Sequence, residues 1–311
     1  MFRRKRLQNR ITAGHWTLPA AILIALLCWG TSWFVLPKQT VSVASILFYA
    51  AIGYLLVLLN NTFALIRMRA SVQTAVYLLL TAACPLLHSQ WSNDITALFF
   101  LLSIFFLLRS YQQAVPMGDV FHSFLFMGLG SLFMPQLTWL APFYWLGAYR
   151  FQSLNLKSFF ASLMGWALPY WFLLAYAYWQ GQMEMFFAPL QGLLHFHPLC
   201  QGYTPSLMAT GGYLLLLVVV SSVHCIAAGY EDKLRTRSYL NFLVTLNLVL
   251  CLWLILQPAQ GEALLTLLLP IASILAGHLF VLTGSRSSNL FFLIMLILLI
   301  PLFLFNLWML L

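Results

Sequence analysis

The sequence predicts an all-α fold, a polytopic transmembrane helix bundle of about eleven spans, on three observations. The chain is 62% hydrophobic and only 7% charged, whereas soluble domains carry about 25% charged residues. A soluble fold cannot cover its surface with so few charges, but lipid-facing positions need none. The apolar runs are long and continuous, near the roughly 20 residues that carry a helix across a bilayer. An outer-membrane barrel, with its short alternating segments, is thereby excluded. Finally, 14 of the 15 Lys and Arg residues fall in every second gap between apolar runs, and only Lys38 falls in another gap. Short basic loops stay cytoplasmic, so the N-terminus is expected inside and the C-terminus outside.

The predicted spans are 17–36, 41–66, 71–88, 92–108, 120–134, 137–149, 158–180, 206–229, 238–256, 262–283 and 289–310 within one integral membrane domain, 1–311. The first follows Arg3-Arg4-Lys5-Arg6 and imitates a secretory signal. Its apolar run is too long for one, and no small-residue cleavage site closes it, so it reads as an uncleaved span. The segment 120–149 is ambiguous by length alone. As one helix it would turn Lys233, Arg235, Arg237 and Arg286 outward, against the charge rule. Two short spans turning at Pro135-Gln136 restore the alternation.

Between spans, the inner connection from Arg109 to Asp119 contains Pro116 and Gly118, which mark a turn. The outer segment 181–205 is the longest hydrophilic stretch, yet it contains Met185, Phe186, Phe187, Leu193 and Leu194. It is expected to lie on the membrane surface as a short amphipathic element plus loop. Trp16, Trp33, Trp91, Trp139, Tyr149, Trp179, Tyr203, Tyr230 and Tyr239 sit near span ends, where aromatic rings anchor at the interface. Pro85, Pro142, Pro169, Pro270 and Pro301 should kink or interrupt their helices. Asn60, Asn61, Asn241, Asn247 and Asn306 need partners in lipid and should face other helices. Together these residues imply a bundle with an interior cavity or cleft. No internal repeat is visible.

The charge balance separates function classes. Inner loops total +11 and outer loops −2, which together give the net +9. Orientation with some anionic-lipid contact accounts for this, and no aromatic-basic groove pattern points to nucleic acid. No Asp, Glu, Lys or Arg lies near the middle of a span, which argues against an ion-coupled pump. His224 and His278, in the inner thirds of their helices, come nearest and read as packing residues. The outer face collects Asp94, Glu184, His195, His197 and Glu262, from which a general base for transfer onto an acceptor hydroxyl can be built. His195, His197 and Cys200 lack the spacing of a metal signature, so no metal or cofactor is expected. Of the five cysteines, only Cys84 and Cys200 can meet on the outer side, and sequence leaves their pairing open.

The stretches Gly128-Leu129-Gly130-Ser131-Leu132-Phe133, Pro142-Phe143-Tyr144-Trp145-Leu146-Gly147 with Arg150-Phe151, and Gly165-Trp166-Ala167-Leu168-Pro169-Tyr170 carry a family likeness. Over residues 90–180 the chain resembles a domain-of-unknown-function family of multi-pass inner-membrane proteins of Bacteroidota. The likeness implies paired short spans before Arg150 and brings no activity. The paired short helices and aromatic outer loops also resemble GT-C type glycosyltransferases. Those usually carry an acid in the first outer loop, where this chain has Pro37-Lys38-Gln39-Thr40 and Asp94 follows one outer loop later.

These readings lead to a bacterial inner-membrane protein with membrane lipids, and other membrane or envelope subunits, as partners. The leading expectation is a non-catalytic subunit or scaffold of an envelope machinery. The alternatives are an outer-leaflet enzyme of lipid-linked glycan or lipid modification, and a carrier or flippase of amphiphiles that is not ion-coupled.

Overall fold

The computed structural model describes residues 7–35, 43–66, 71–195 and 198–311. Among the described residues there are thirteen α-helices and no strand. They are α1 (Leu7–Thr12), α2 (Thr17–Val35), α3 (Val43–Phe63), α4 (Val72–Ala82), α5 (Trp91–Arg109), α6 (Met117–Phe133) and α7 (Ala141–Arg150). After these come α8 (Leu156–Gln180), α9 (Glu184–Leu194), α10 (Pro205–Ala227), α11 (Leu234–Leu256), α12 (Gly261–Leu282) and α13 (Arg286–Trp308). Tight 3₁₀ turns occupy Pro85–His88, Pro135–Leu140, Gly229–Glu231 and Pro258–Gln260. The basic residues Arg3 to Arg6, Arg67 and Arg69, together with Lys38, lie outside the described residues.

Eight helices (α2, α3, α5, α8 and α10 to α13) are long and apolar enough to cross a membrane. By length and composition they suit an integral membrane protein. The other three predicted spans coincide with shorter helices: α4 has 11 residues, α6 has 17 and α7 has 10. α6 stops where expected. Met134, before Pro135, is extended (φ −127°, ψ 89°), as the residue preceding a proline prefers. The predicted second short span is not one continuous helix. It begins as the Pro135–Leu140 turn and becomes α-helical only at Ala141, with Pro142 in the first turn of α7.

The chain forms two compact units, Met1–Trp91 with Cys200–Leu311, and Ser92–Leu199. In the first, α12 is the core. Its apolar stretch is 94% buried, as an all-round hydrophobic helix requires, and it packs on α4, α10 and α11. Gly277 permits the close approach to α4: a Cβ there would stand 3.0 Å from Cβ of Gln73. α2 and α13, by contrast, are only 11% and 22% buried, an apolar surface of the kind that needs lipid or another apolar phase.

The intramembrane amides divide. Asn306 of α13 is fully buried and saturated: its Nδ2 donates to the Ala83 carbonyl and to Thr210 Oγ1, both at 3.0 Å, and its Oδ1 accepts from Ser206 Oγ at 2.7 Å. Asn60 accepts from the Ile66 backbone amide at 2.9 Å, closing the C-terminal end of α3. Asn247 is buried, Asn241 is half-buried, and Asn61 is exposed instead of facing a helix. Asn61 lies on the outward side of α3 because Asn60, its neighbour, already takes the inward position.

The second unit is organised by the pairing of α6 with α8. Two glycines set the distance: a Cβ at Gly165 would lie 2.4 Å from the Phe121 carbonyl oxygen, and one at Gly128 2.7 Å from that of Trp166. Hydrogen bonds flank the crossing, with Ser131 Oγ 2.9 Å from Tyr170 OH and Trp166 Nε1 donating to Thr138 Oγ1 at 3.1 Å. α8 starts with a reciprocal cap, in which Asn155 Oδ1 accepts from Ser158 N and Ser158 Oγ accepts from Asn155 N, each at 2.8 Å. It stops at Gly181, whose φ of +69° is the left-handed conformation that ends helices. The expected surface element is α9, which docks on the Pro135–Leu140 turn. Gln136 Nε2 donates to the Gly192 carbonyl and Trp139 Nε1 to that of Leu193, both at 3.1 Å. Arg109 pairs with Asp119 at 3.5 Å across the predicted inner turn.

Candidate functional site

The outer-face acids and histidines occupy different surroundings. Asp94 is fully buried in the first turn of α5. Glu184 opens α9 and is exposed, as is His195 just after that helix. Glu262 is half-buried at the start of α12, in the other unit. His197 lies outside the described residues. Among the described residues, no three His, Cys, Asp or Glu side chains are grouped as a metal site requires. Cys84 and Cys200 are both free thiols. Cys84 is buried with Sγ 3.9 Å from Thr210 Oγ1, whereas Cys200 is exposed on a loop tied to the end of α11 through the Leu256 carbonyl.

The two membrane histidines are part of a larger array. His278 Nε2 stands 3.2 Å from Asp232 Oδ2, and His278 Nδ1 stands 3.6 Å from Cys225 Sγ. A carboxylate only accepts, so Nε2 carries the proton toward Asp232 and Nδ1 accepts from the thiol. The His224 ring lies 5.5 Å from that of His278. The side chains of His278 and Asp232 are 0% and 1% exposed, and Cys225 is buried. The series Cys, His, Asp has the order of a nucleophile and its base, but closed off as it is, it fastens the α10–α11 connection to α12. Asp232 falls in the inner gap between the predicted spans 206–229 and 238–256, and nothing in spacing brings residue 232 under residue 278.

A cleft of about 370 Å³ in the first unit has room for a ligand. α4 is its floor, since α4 packs against both α2 and α3. Helical spacing places Thr74, Leu78, Thr81 and Ala82 on that floor. α2 contributes Leu18, Ile22, Ala25, Leu26 and Trp29 as one wall, and α3 contributes Ile46, Tyr49, Ala50, Gly53, Tyr54 and Val57 as the other. Ile22, Leu26 and Tyr54 are exposed as well as lining, so the cleft opens on the side of the unit. Thr74 Oγ1 donates to the Gly53 carbonyl at 3.4 Å, joining α3 to the floor.

Polar atoms gather at one end. His88, in the turn after α4, is fully buried and its Nε2 lies 3.1 Å from the Thr81 carbonyl. Its ring stands 5.6 Å from that of Trp29 and 5.7 Å from that of Tyr49, and Tyr49 OH donates to the Leu87 carbonyl at 3.0 Å. Two buried atoms there have no hydrogen-bond partner, Trp29 Nε1 and His88 Nδ1. Apart from Thr74, Thr81 and Tyr54 the rest of the described lining is apolar, and it contains no Asp, Glu, Lys or Arg. A concave apolar site with a few convergent polar groups is the usual form of a small-molecule pocket.

Sequence reading passed over both residues. Trp29 looked like part of an apolar run, and His88 like the end of one. In comparisons with known proteins, no family model, no curated protein and no solved structure matches the chain.

Proposed function

We propose that this protein is an integral membrane protein of the bacterial inner membrane that holds an amphiphilic, lipid-like molecule in the cleft between α2, α3 and α4. It acts as a carrier or flippase without ion coupling. The observation that carries this reading is the cleft itself: laterally open, apolar along its length and polar at one end. A ligand with an apolar tail enters such a cleft from the bilayer without crossing water. Among the described residues the lining contains no Asp, Glu, Lys or Arg, the groups that most often mark an ion path in a membrane.

The charge rule supports an orientation in which the polar end faces outward. α2 then runs from the cytoplasm, α3 returns, and the 85–88 turn lies on the outer side. Docking of α9 on the Pro135–Leu140 turn supports the paired short helices, because both segments then lie outside. The outer-leaflet enzyme is the weaker reading, since Asp94 is buried and Glu262 belongs to the other unit.

Ala50 tests the proposal. It lines the cleft yet is exposed, so Ala50→Trp fills the space without burying a clash in the core. Lipid extracts of the wild-type protein purified from nanodiscs should contain a stoichiometric amphiphile that Ala50→Trp loses while melting at the same temperature. Equal lipid content in both proteins would refute the reading.

A further inference from the structure

We infer that the polar end of the cleft recognises a neutral hydroxyl carried on a long apolar chain, so that the ligand is a membrane-borne alcohol and not an acid or a phosphate. The inference rests on the cleft being an amphiphile site and adds the identity of the head group. His88 Nε2 faces the Thr81 carbonyl at 3.1 Å. A carbonyl only accepts, so Nε2 bears the hydrogen and Nδ1 of the neutral ring presents a lone pair. Nδ1 is buried and has no partner. Trp29 Nε1 supplies the opposite need, an N–H donor that is equally buried and unpartnered, on a ring 5.6 Å from His88.

One donor and one acceptor left open on rings 5.6 Å apart match a group that both accepts and donates. A hydroxyl does both. A carboxylate or an ether only accepts, which satisfies Trp29 and sets a lone pair against His88 Nδ1. A phosphate would need neutralising, and among the described residues the lining holds no Lys or Arg. The tail also fits. From Leu18 to Trp29 the cleft follows α2 for eleven residues, roughly 16 Å at 1.5 Å per residue. That is about the hydrocarbon depth of one leaflet.

The test uses the full-length protein in nanodiscs and four probes: dodecanol, farnesol, dodecyl methyl ether and dodecanoate. The better-fitting alcohol should bind about tenfold more tightly than the ether, the value of one well-made buried hydrogen bond. His88→Phe should cut that preference below about threefold while leaving ether binding unchanged, whereas Trp29→Phe, which removes the donor that the oxygen of either probe accepts from, should weaken alcohol and ether alike by about tenfold. Trp29→Phe removes a donor that no protein atom uses, so it keeps the test decisive even if His88→Phe fails to fold. Tighter binding of dodecanol or of farnesol, with the same loss for both in Trp29→Phe, supports the assignment and separates straight-chain from isoprenoid sources. Equal binding of alcohol and ether, or tighter binding of dodecanoate, overturns the hydroxyl assignment and leaves the cleft reading standing. Failure of all four probes to bind overturns the cleft reading itself.

Discussion

Asn306 joins three parts of the first unit with one side chain. Its amide reaches the Ala83 carbonyl, Thr210 and Ser206, so α13 is held to α10 and to the end of α4 by hydrogen bonds instead of by apolar contact alone. Lipid gives apolar helices little reason to prefer one another over acyl chains, and such bonds decide which faces meet. Asn306→Leu should lower stability by about 1–2 kcal/mol, the upper range for hydrogen bonds between membrane helices. Asn61→Leu, at an exposed position, should leave it within about 0.5 kcal/mol of wild type. Thermal unfolding in detergent measures both, and equal losses would contradict the network. At this scale the sequence is informative by type and silent on address. An asparagine in an apolar run signals a partner, yet Asn60 and Asn61 are adjacent and only Asn60 is buried. Aromatic anchoring is more legible. Trp16, Trp91, Trp139, Tyr149, Trp179, Tyr203 and Tyr230 are exposed as expected, and Trp33 is partly so. Tyr239 departs from the pattern because it is buried, its hydroxyl accepting from Arg235 Nε at 2.6 Å.

The α6–α8 pair shows what a motif of apolar residues encodes. Gly128 and Gly165 are the points where each helix meets the other's backbone, a close approach that small residues permit in membranes. Gly165→Ala places a methyl 2.4 Å from the Phe121 carbonyl oxygen, so the helices must separate. The expected loss is about 1–3 kcal/mol, as for other overpacked sites. Gly118→Ala is the internal control, since a Cβ there meets nothing within 4 Å and removing a helical glycine is worth up to about 1 kcal/mol in favour of folding. Melting temperatures that move together would argue against the crossing. The sequence places the boundaries of these helices well, because Pro135, Asn155 and Gly181 act locally. It does not reveal the crossing. Helices that are apolar all round offer no periodic stripe from which to read a partner. For the same reason the 137–149 segment looks like a span, although six of its neighbourhood's residues, Pro135–Leu140, form a 3₁₀ turn.

For the whole molecule, the alternation of basic gaps remains the strongest statement the sequence makes, and it is independent of packing. Alkaline-phosphatase fusions after Arg150 and after Lys233 should both be inactive, as cytoplasmic positions are. Activity at either would break the eleven-span topology beyond residue 120. The candidate site was far less legible. Charge pointed to Asp94, Glu184, His195, His197 and Glu262, while the cleft rests on two uncharged atoms, Trp29 Nε1 and His88 Nδ1, whose lack of partners depends on three helices meeting. The first unit is also discontinuous along the chain: its halves are separated by Ser92–Leu199. Its core helix, α12, is delivered by a ribosome only after the whole of the second unit. The cleft's floor, α4, packs on α12, with Gln73 beside Gly277. During synthesis, therefore, α2, α3 and α4 must wait in the membrane, with Gln73 awaiting its neighbour, while the entire second unit is made. Quality control acting in that interval would meet α2, α3 and α4 without the helix that α4 packs on, and a chain truncated before residue 261 should be degraded at that stage.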